Sequence, residues 1–557
     1  MLRFRISGND KPRAFSSSAT GWRRLESWVE PLRVPALEDF AVRAEDCLLI
    51  VVRERVSGIR IEDGRDYSRP IKDATQQQLS AALDEMRDWP LDFLALTVTC
   101  LPHETTVELL SGIWGTCPVY LVMRARELWG DWDPVELYRR LSRVTLNEER
   151  AAHFLVSFGS PYSKETIIPD LVRATAASRV RWTASDARLR VDYPTPGAEP
   201  HPRCLKPDAD VLGAFRTALS ASMARYIDDD TGVSAFLSGG LDSGIVAATA
   251  ASLVRQPVRT YGLLMPGEAA AGQARRRAEF IQQFGFSDAW LEAAAYPALG
   301  PESSRIRELR IIPWEECYYE AFEALLRLAA RDGDRLLFTG NGGDELCYLY
   351  WTELSEPERE ARLSELQPHR AALPDFLTSR VLDIYSDTVL SIDRAPRSAL
   401  PMSGLSASAS VAPLFARNGV WPVSPLCTPE LYRFCRSLPR EWRDGRELPR
   451  RFLKQLGCTP EVTHPRSTED FMPMLELSLR RASRPLLDRL FCEPRLADLG
   501  LVDGIRLRAA YGKYCEGDPL PYDPVHFYAA AVLELTLLSM EARAGGLSSD
   551  NALANLA

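Results

Sequence analysis

The string FLSGGLDSG at Phe236–Gly244 constrains the fold of this chain more than any other feature. The apolar run Val233–Leu237 before it predicts a strand, and the Ala-rich run Ile245–Leu253 after it predicts a helix. In a strand–turn–helix of this kind, backbone N–H groups and the positive helix end form a cradle for an anion. The string lacks the Lys that precedes Ser or Thr in a Walker-type loop, so we expect it to hold a leaving pyrophosphate.

A second glycine-rich string, FTGNGGDELCY at Phe338–Tyr348, follows the predicted strand Arg335–Phe338. The alternation of strands and helices around both strings predicts a parallel sheet with helices on both faces. Loops at the carboxyl ends of neighbouring parallel strands line one crevice, so we expect Asp242 and Asp344 to meet there. Two carboxylates that face a triphosphate suit Mg²⁺.

The chain divides at a proline-rich segment. At 557 residues it exceeds a single typical core, and Tyr193–Pro207 contains five prolines, which indicates a linker. Before it, β-type runs such as Leu91–Cys100 predict a sheet-based sandwich over residues 1–196. After the linker at 197–207, residues 208–557 predict an α/β domain with a parallel sheet, followed by a helical extension.

Composition excludes several classes of protein. A net charge of −9 argues against nucleic acid as a partner. We expect no membrane span, because the best candidate, Tyr528–Leu538, is short and contains Glu534, as a core helix can. The first fifteen residues lack the apolar region of a signal peptide. Eleven scattered cysteines without a C-x-x-C pair predict reduced thiols and a cytoplasmic protein.

The two glycine-rich strings resemble the pyrophosphatase loop and the distal acidic loop of the asparagine-synthetase superfamily. Ser111–Val122 is similar to part of that family's N-terminal amidotransferase domain, and Gly272–Phe286 and Pro422–Pro439 are similar to parts of its synthetase domain. The resemblance implies an α/β protein with a degenerate amidotransferase-like sandwich of the Ntn type before an ATP-pyrophosphatase domain.

The resemblance also implies ATP and Mg²⁺ as cofactors. Mg²⁺ would lie on Asp242 and Asp344, and the adenine would lie against Leu237 and Leu263. The residues expected to contact the nucleotide are Leu237, Ser238, Gly239, Gly240, Asp242, Ser243, Leu263, Thr339 and Gly340.

Three departures from the family pattern narrow the function. Residue 2 is Leu where glutamine-dependent members have the nucleophilic Cys, so we expect no ammonia production from glutamine. Asn341 stands where asparagine synthetases have Glu and β-lactam synthetases have Tyr, and an amide cannot act as a general base. Thr468 replaces the catalytic Lys, which leaves Arg466 and Lys454 as candidate cations.

The string G-N-G-G-D-E around Asn341 instead looks like that of lasso-peptide cyclases, the macrolactam synthetases. That resemblance implies adenylation of an Asp or Glu side chain in a precursor peptide and its ligation to the peptide's N-terminal amine. It also implies a leader peptidase and a leader-recognition protein as partners. Three alternatives remain: a small-molecule amide synthetase of the β-lactam type, an ammonia-dependent asparagine synthetase, and a nucleotide-binding scaffold without catalysis.

Overall fold

The computed structural model describes residues 1–10, 14–55, 71–186, 188–227, 232–366, 372–396 and 399–545. Its strands in the N-terminal half are β1 (Leu2–Ser7), β2 (Ser16–Ser18), β3 (Gly21–Arg24), β4 (Ser27–Pro31), β5 (Leu37–Ala44), β6 (Cys47–Glu54), β7 (Lys72–Asp73), β8 (Phe93–Cys100), β9 (Thr105–Ser111), β10 (Val119–Arg124), β11 (Glu127–Asp131), β12 (Val172–Ala174), β13 (Arg179–Thr183) and β14 (Arg188–Asp192). The strands of the C-terminal half are β15 (Ser234–Phe236), β16 (Arg259–Leu264), β17 (Ser287–Glu292), β18 (Leu336–Phe338) and β19 (Trp421–Val423).

The α-helices are α1 (Gln76–Met86), α2 (Glu148–Ser157), α3 (Val211–Ala224), α4 (Leu241–Leu253), α5 (Ala270–Phe284), α6 (Ser304–Arg307), α7 (Tyr319–Arg331), α8 (Gly343–Leu346), α9 (Glu356–Leu366), α10 (Ser379–Thr388), α11 (Met402–Arg417), α12 (Pro429–Arg436), α13 (Arg440–Arg443), α14 (Glu447–Gln455), α15 (Pro460–Thr463), α16 (Met472–Leu477), α17 (Arg484–Leu490), α18 (Arg495–Asp498), α19 (Gly504–Glu516) and α20 (Val525–Gly545). Short 3₁₀ helices cover Pro134–Arg140, Ala293–Ala295, Trp351–Glu353, Pro425–Cys427 and Asp444–Arg446, and a π turn covers Ser478–Ala482.

Two seven-stranded sheets form the N-terminal half. Their orders are β12-β10-β11-β1-β4-β3-β2 and β14-β13-β9-β8-β6-β5-β7. β6 shows why they stack: Leu48 and Ile50 pack into the core between the sheets, while Leu49 and Val51 pack with Leu79 of α1 on the outer face. A strand that is buried on both faces has a continuous apolar run instead of an alternating one. The sandwich is present, and its assignment to the Ntn type stays a prediction.

The C-terminal half contains the predicted parallel sheet, in the order β17-β16-β15-β18-β19. Helices α3, α4 and α14 pack with one face of this sheet, and α7 and α11 pack with the other. β15 shows both faces, because Ala235 packs among the first group of helices and Phe236 among the second. β15 is paired with β16 on one side and with β18 on the other, so the loops after β15 and β18 emerge side by side.

The two halves share their core. Trp421 of β19 is 1 % exposed, and its indole N–H donates to Glu54 Oε1 at 2.9 Å. The same carboxylate accepts hydrogen bonds from Arg225 at 2.8 Å and from the Tyr226 hydroxyl at 2.9 Å. Glu54 belongs to the sandwich and the other three residues follow the linker, so the N-terminal half covers the edge of the parallel sheet at β19.

Helix α20 lies in the interior of the C-terminal half. Within the described part of the chain it is long and apolar enough to cross a membrane, but 89 % of its most apolar window is buried inside the protein. Glu534 in this helix accepts hydrogen bonds from the backbone N–H groups of Arg495 and Leu496, at 3.1 and 2.7 Å. The helix therefore packs as the core helix that the sequence predicts.

Candidate functional site

The loop after β15 is closed by its two serines. The Ser243 hydroxyl accepts a hydrogen bond from the backbone N–H of Ser238 at 3.0 Å, and Ser238 Oγ accepts one from the N–H of Gly240 at 3.1 Å. Gly239 has a φ of +90°, which a side chain would strain, and Gly240 is the N-cap of α4. The chain therefore turns sharply, and the positive end of a 13-residue helix faces the turn.

A fully buried glutamine fixes this loop against β16. The Gln273 amide donates to the carbonyl oxygens of Ser238 and Leu263, both at 2.9 Å, and accepts from the N–H of Met265 at 2.8 Å. Leu237 and Leu263 are 0 % and 8 % exposed. The predicted adenine contacts thus lie at the ends of two neighbouring strands, and Gln273 sets the gap between them.

The second glycine-rich loop lies directly on the first. A Cβ placed on Gly340 would be 2.8 Å from the backbone nitrogen of Ser243, and one on Gly343 would overlap the Asp242 carboxylate. Thr339, which begins the second loop, is buried, and its backbone N–H donates to Val423 O at 2.8 Å. The glycines of the second loop are thus required for close approach, and the loops meet as the strand order predicts.

Arg446 joins the two aspartates. Its guanidinium is hydrogen bonded to Asp242 Oδ1 and lies 2.7 Å from Asp344 Oδ1. Burial raises the pKa of Asp242 from 3.8 to about 6, and although Arg446 opposes this rise, the Asp344 carboxylate adds to it. Arg446 itself has a φ of +61°, an uncommon backbone conformation for a residue with a side chain. A cation thus lies between the two carboxylates that the sequence predicts to bind Mg²⁺.

The donor set of this site fits magnesium that arrives with a nucleotide. Mg²⁺ is commonly bound by one or two carboxylates together with substrate phosphates. In the described ranges no group of three or more His, Cys, Asp or Glu side chains could hold a metal, and Asp242 and Asp344 form a pair. A Mg²⁺ ion that is also coordinated by phosphates needs only such a pair of carboxylates from the protein. The Mg²⁺ assignment stays a prediction.

The other predicted catalytic residues lie further out. Asn341 is half-buried, its N–H donates to Thr339 Oγ1 at 3.4 Å, and its carbonyl accepts from Cys427 Sγ at 3.4 Å. Arg466 and Lys454 are exposed. Lys454 lies in the last turn of α14, eight residues or about 12 Å along the helix from Arg446. The catalytic roles of all three stay predictions.

The segment that carries Thr468 does reach the first loop. Arg276, which is 2 % exposed, donates to Gly239 O at 3.0 Å and to Ser467 O at 3.3 Å, and it forms an ion pair with Glu469. A Cβ on Gly240 would lie 3.3 Å from Glu469 Oε1. A carboxylate therefore stands at the entrance of the anion cradle.

Sequence reasoning missed Gln273, Arg276 and Arg446. The first two lie in GQARRRAEF, where an amide and three arginines in the first turns of a helix after a strand were the available signal of contact with a neighbouring loop. Arg446 follows Asp-Gly immediately before an amphipathic helix, and no feature of that spacing points to Asp242, 204 residues away.

Residue 2, where the resemblance to glutamine-dependent enzymes would place a nucleophilic Cys, is part of the packed core. Leu2 is 0 % exposed between the two sheets, in the strand paired with β4 and β11. Cys117 is the buried thiol close to this end of the chain, 3.6 Å from the Met1 nitrogen, and burial raises its pKa. A thiol with a raised pKa is a poor nucleophile.

A large cavity lies elsewhere, at the edge strand β17. Its volume is about 680 Å³, and it is lined by β17, the segment 295–303 and α7. Glu320, which lines it, is already bound to Arg305, and Glu323 is bound to Ser304 and Arg327. Because both carboxylates already have partners, neither is available to bind a ligand.

Residues 214–390 match the family model described as asparagine synthase. That stretch contains both glycine-rich loops, so the match supports the resemblance to the asparagine-synthetase superfamily and indicates an enzyme that uses ATP. Among solved structures the chain is similar to the U34-tRNA thiolase NcsA from Methanococcus maripaludis with its [4Fe-4S] cluster, at 14 % identity over 56 % of this chain and 81 % of that chain. The TM-score is 0.24, too low to support a conclusion. No curated protein matches the chain.

Proposed function

We propose that this protein is an ATP-dependent lasso-peptide macrolactam synthetase. It adenylates an Asp or Glu side chain of a precursor peptide and joins that side chain to the peptide's N-terminal amine, with release of AMP and pyrophosphate. The observation that carries the ATP chemistry is the contact between the two loops, with Asp242 and Asp344 held on one guanidinium. The string around Asn341 and the buried Leu2 support the choice of subfamily.

In the first step a carboxylate oxygen of the peptide attacks the α-phosphorus of ATP, and the bond from that phosphorus to the bridging oxygen of the β-phosphate breaks. The pyrophosphate takes the electron pair and leaves into the loop Ser238–Ser243, whose N–H groups and helix end stabilise its charge. Mg²⁺ on Asp242 and Asp344 would neutralise charge on the phosphates. Arg446 supplies a cation at the same place, the role that Thr468 cannot fill.

In the second step the neutral amine attacks the acyl carbon, the bond from that carbon to the phosphate oxygen breaks, AMP leaves with the electron pair, and the amine gives up one proton to water. Asn341 cannot take that proton, but its carboxamide oxygen can accept a hydrogen bond from the amine and orient it. Much of the rate then comes from holding amine and acyl carbon together in a threaded peptide. The proposed partners are the precursor peptide, a leader peptidase and a leader-recognition protein, in the cytoplasm and without nucleic acid.

The deciding experiment combines the protein with ATP, Mg²⁺, the leader peptidase and recognition protein, and a candidate precursor peptide. Mass spectrometry should show a core peptide that has lost one water, with one AMP formed for each ring. Asp242→Asn is the matched variant, because it removes only the charge that faces the phosphates. Asparagine or a small lactam as product would contradict the proposal, and ATP binding without AMP formation for any precursor would favour a scaffold.

A further inference from the structure

A salt bridge stands at the entrance of the anion cradle. Arg276 Nε is hydrogen bonded to the carbonyl of Gly239, so the guanidinium lies along the turn. One of its terminal nitrogens donates to Ser467 O at 3.3 Å, and the other meets Glu469. The Glu469 side chain is 18 % exposed and Arg276 is 2 % exposed. Glu469 therefore places a negative charge where the N-terminus of α4 attracts one.

We propose that Arg276 is a ligand of the leaving pyrophosphate, and that Glu469 occupies this subsite until the nucleotide binds. The inference depends on the proposed function, since it assigns residues to the same phosphate site. A guanidinium presents parallel N–H donors that match phosphate as well as carboxylate. Pyrophosphate carries more negative charge than one carboxylate, so it can displace Glu469 from both Arg276 and the helix end.

The arrangement at Arg446 supports this exchange. There a resident cation neutralises Asp242 and Asp344, and at Arg276 a resident anion neutralises the loop. The site thus contains an internal cation beside its aspartates and an internal anion beside its loop. When the magnesium nucleotide binds, its magnesium and phosphates replace these internal partners. No unpaired charge is then left in the partly buried cleft.

Glu469 can leave without disrupting the fold around it. It belongs to a segment with an exposed Thr468 before it and an exposed Asp470 after it, and the segment is attached at Phe471, whose ring stacks on Tyr318 at 4.1 Å. A shift of the segment about Phe471 breaks the Arg276 contacts with Glu469 and Ser467 and exposes Arg276 to the phosphates, while its bond to Gly239 remains.

The test measures binding of inorganic pyrophosphate by calorimetry at fixed ionic strength. Glu469→Gln should bind it at least about tenfold more tightly than the wild type, because the resident anion is gone. Glu461→Gln is the matched control: Glu461 forms a 3.1 Å ion pair with the neighbouring Arg275, so the charge change is the same, but the pair lies off the loop. That variant should bind as the wild type does.

Two further variants separate the roles. Glu469→Asp keeps the charge and should restore affinity toward the wild-type value. Arg276→Lys in the Glu469→Gln background should lose the gain, because Lys lacks the planar fork. Equal affinity of the wild type and Glu469→Gln would overturn the inference while the proposed function stands. Absence of pyrophosphate and ATP binding in every variant, the wild type included, would overturn the proposed function itself.

Discussion

The Asp242 carboxylate should lower the stability of the empty protein. Burial raises its pKa to about 6, against 3.8 for the ordinary side chain, even with Arg446 beside it. A difference of about 2 pH units corresponds to about 3 kcal/mol. Since 21 % of the side chain is exposed, solvent screening reduces this figure, and we expect about 1–2 kcal/mol. Asp242→Asn, which mimics the protonated acid, should therefore unfold at higher urea concentration.

The sign follows from proton binding. Between about pH 4 and pH 6 the folded state holds a proton on Asp242 that the unfolded state has lost, so wild-type stability falls as the pH rises through this window. The Asn variant has no titratable group at this position, so its stability does not fall in this window. The stability difference between the two proteins should be small near pH 4, reach about half of its full value at pH 5 and be complete near pH 7.

The assay is urea unfolding of both proteins, without nucleotide, at several values between pH 4 and pH 8. Asp344→Asn is the control, because it meets the same Arg446 but its side chain is 61 % exposed. Saturating magnesium ATP should reverse the order, since a ligand at 100 times its Kd stabilises the protein that binds it by about 2.7 kcal/mol. A stability difference that does not change with pH, or a less stable Asn variant throughout, would refute the reasoning.

Three further predictions concern the loops and the sandwich. Arg446→Met should lower the rate of ATP–pyrophosphate exchange about 100-fold, as loss of one preorganised charge does elsewhere, and an unchanged rate would remove this cation from the mechanism. Gly343→Ala should abolish ATP binding, because its methyl group overlaps Asp242, whereas Gly512→Ala, where no atom lies within 4 Å, should raise the melting temperature slightly. Leu2→Cys should show no glutamine hydrolysis, because position 2 is packed core; ammonia release above background would contradict this.

Sequence patterns predicted the centre of the parallel sheet better than its edges. β15 and β18 lie in apolar runs that end in turn residues, and the pattern marks them because they are buried on both faces. β17 is the polar string SDAWLE at one edge, and β19 is three residues with a proline in the middle at the other. Edge strands tolerate proline and polar residues, so neither has the apolar signal of a central strand.

The site shows the same division between local and distant information. The two aspartates could be paired from the sequence, because parallel strands place their following loops at one edge of the sheet. The ion pairs of the site could not be predicted, because Arg446, which pairs with the aspartates, and Glu469, which pairs with Arg276, lie on segments more than a hundred residues further along the chain. Charge complementarity between such segments arises only when the chain packs, so it cannot be predicted from the spacing of residues in the sequence.

The bond from Glu54 to Trp421 has a consequence for the sandwich itself. If the N-terminal half were removed, Trp421 and the apolar side chains that share a core with the sandwich would be exposed, and an exposed apolar patch favours association with other chains. The sandwich is thereby a structural part of its neighbour. Expression of residues 208–557 alone should yield aggregates, and the two halves should be inherited and engineered as one unit.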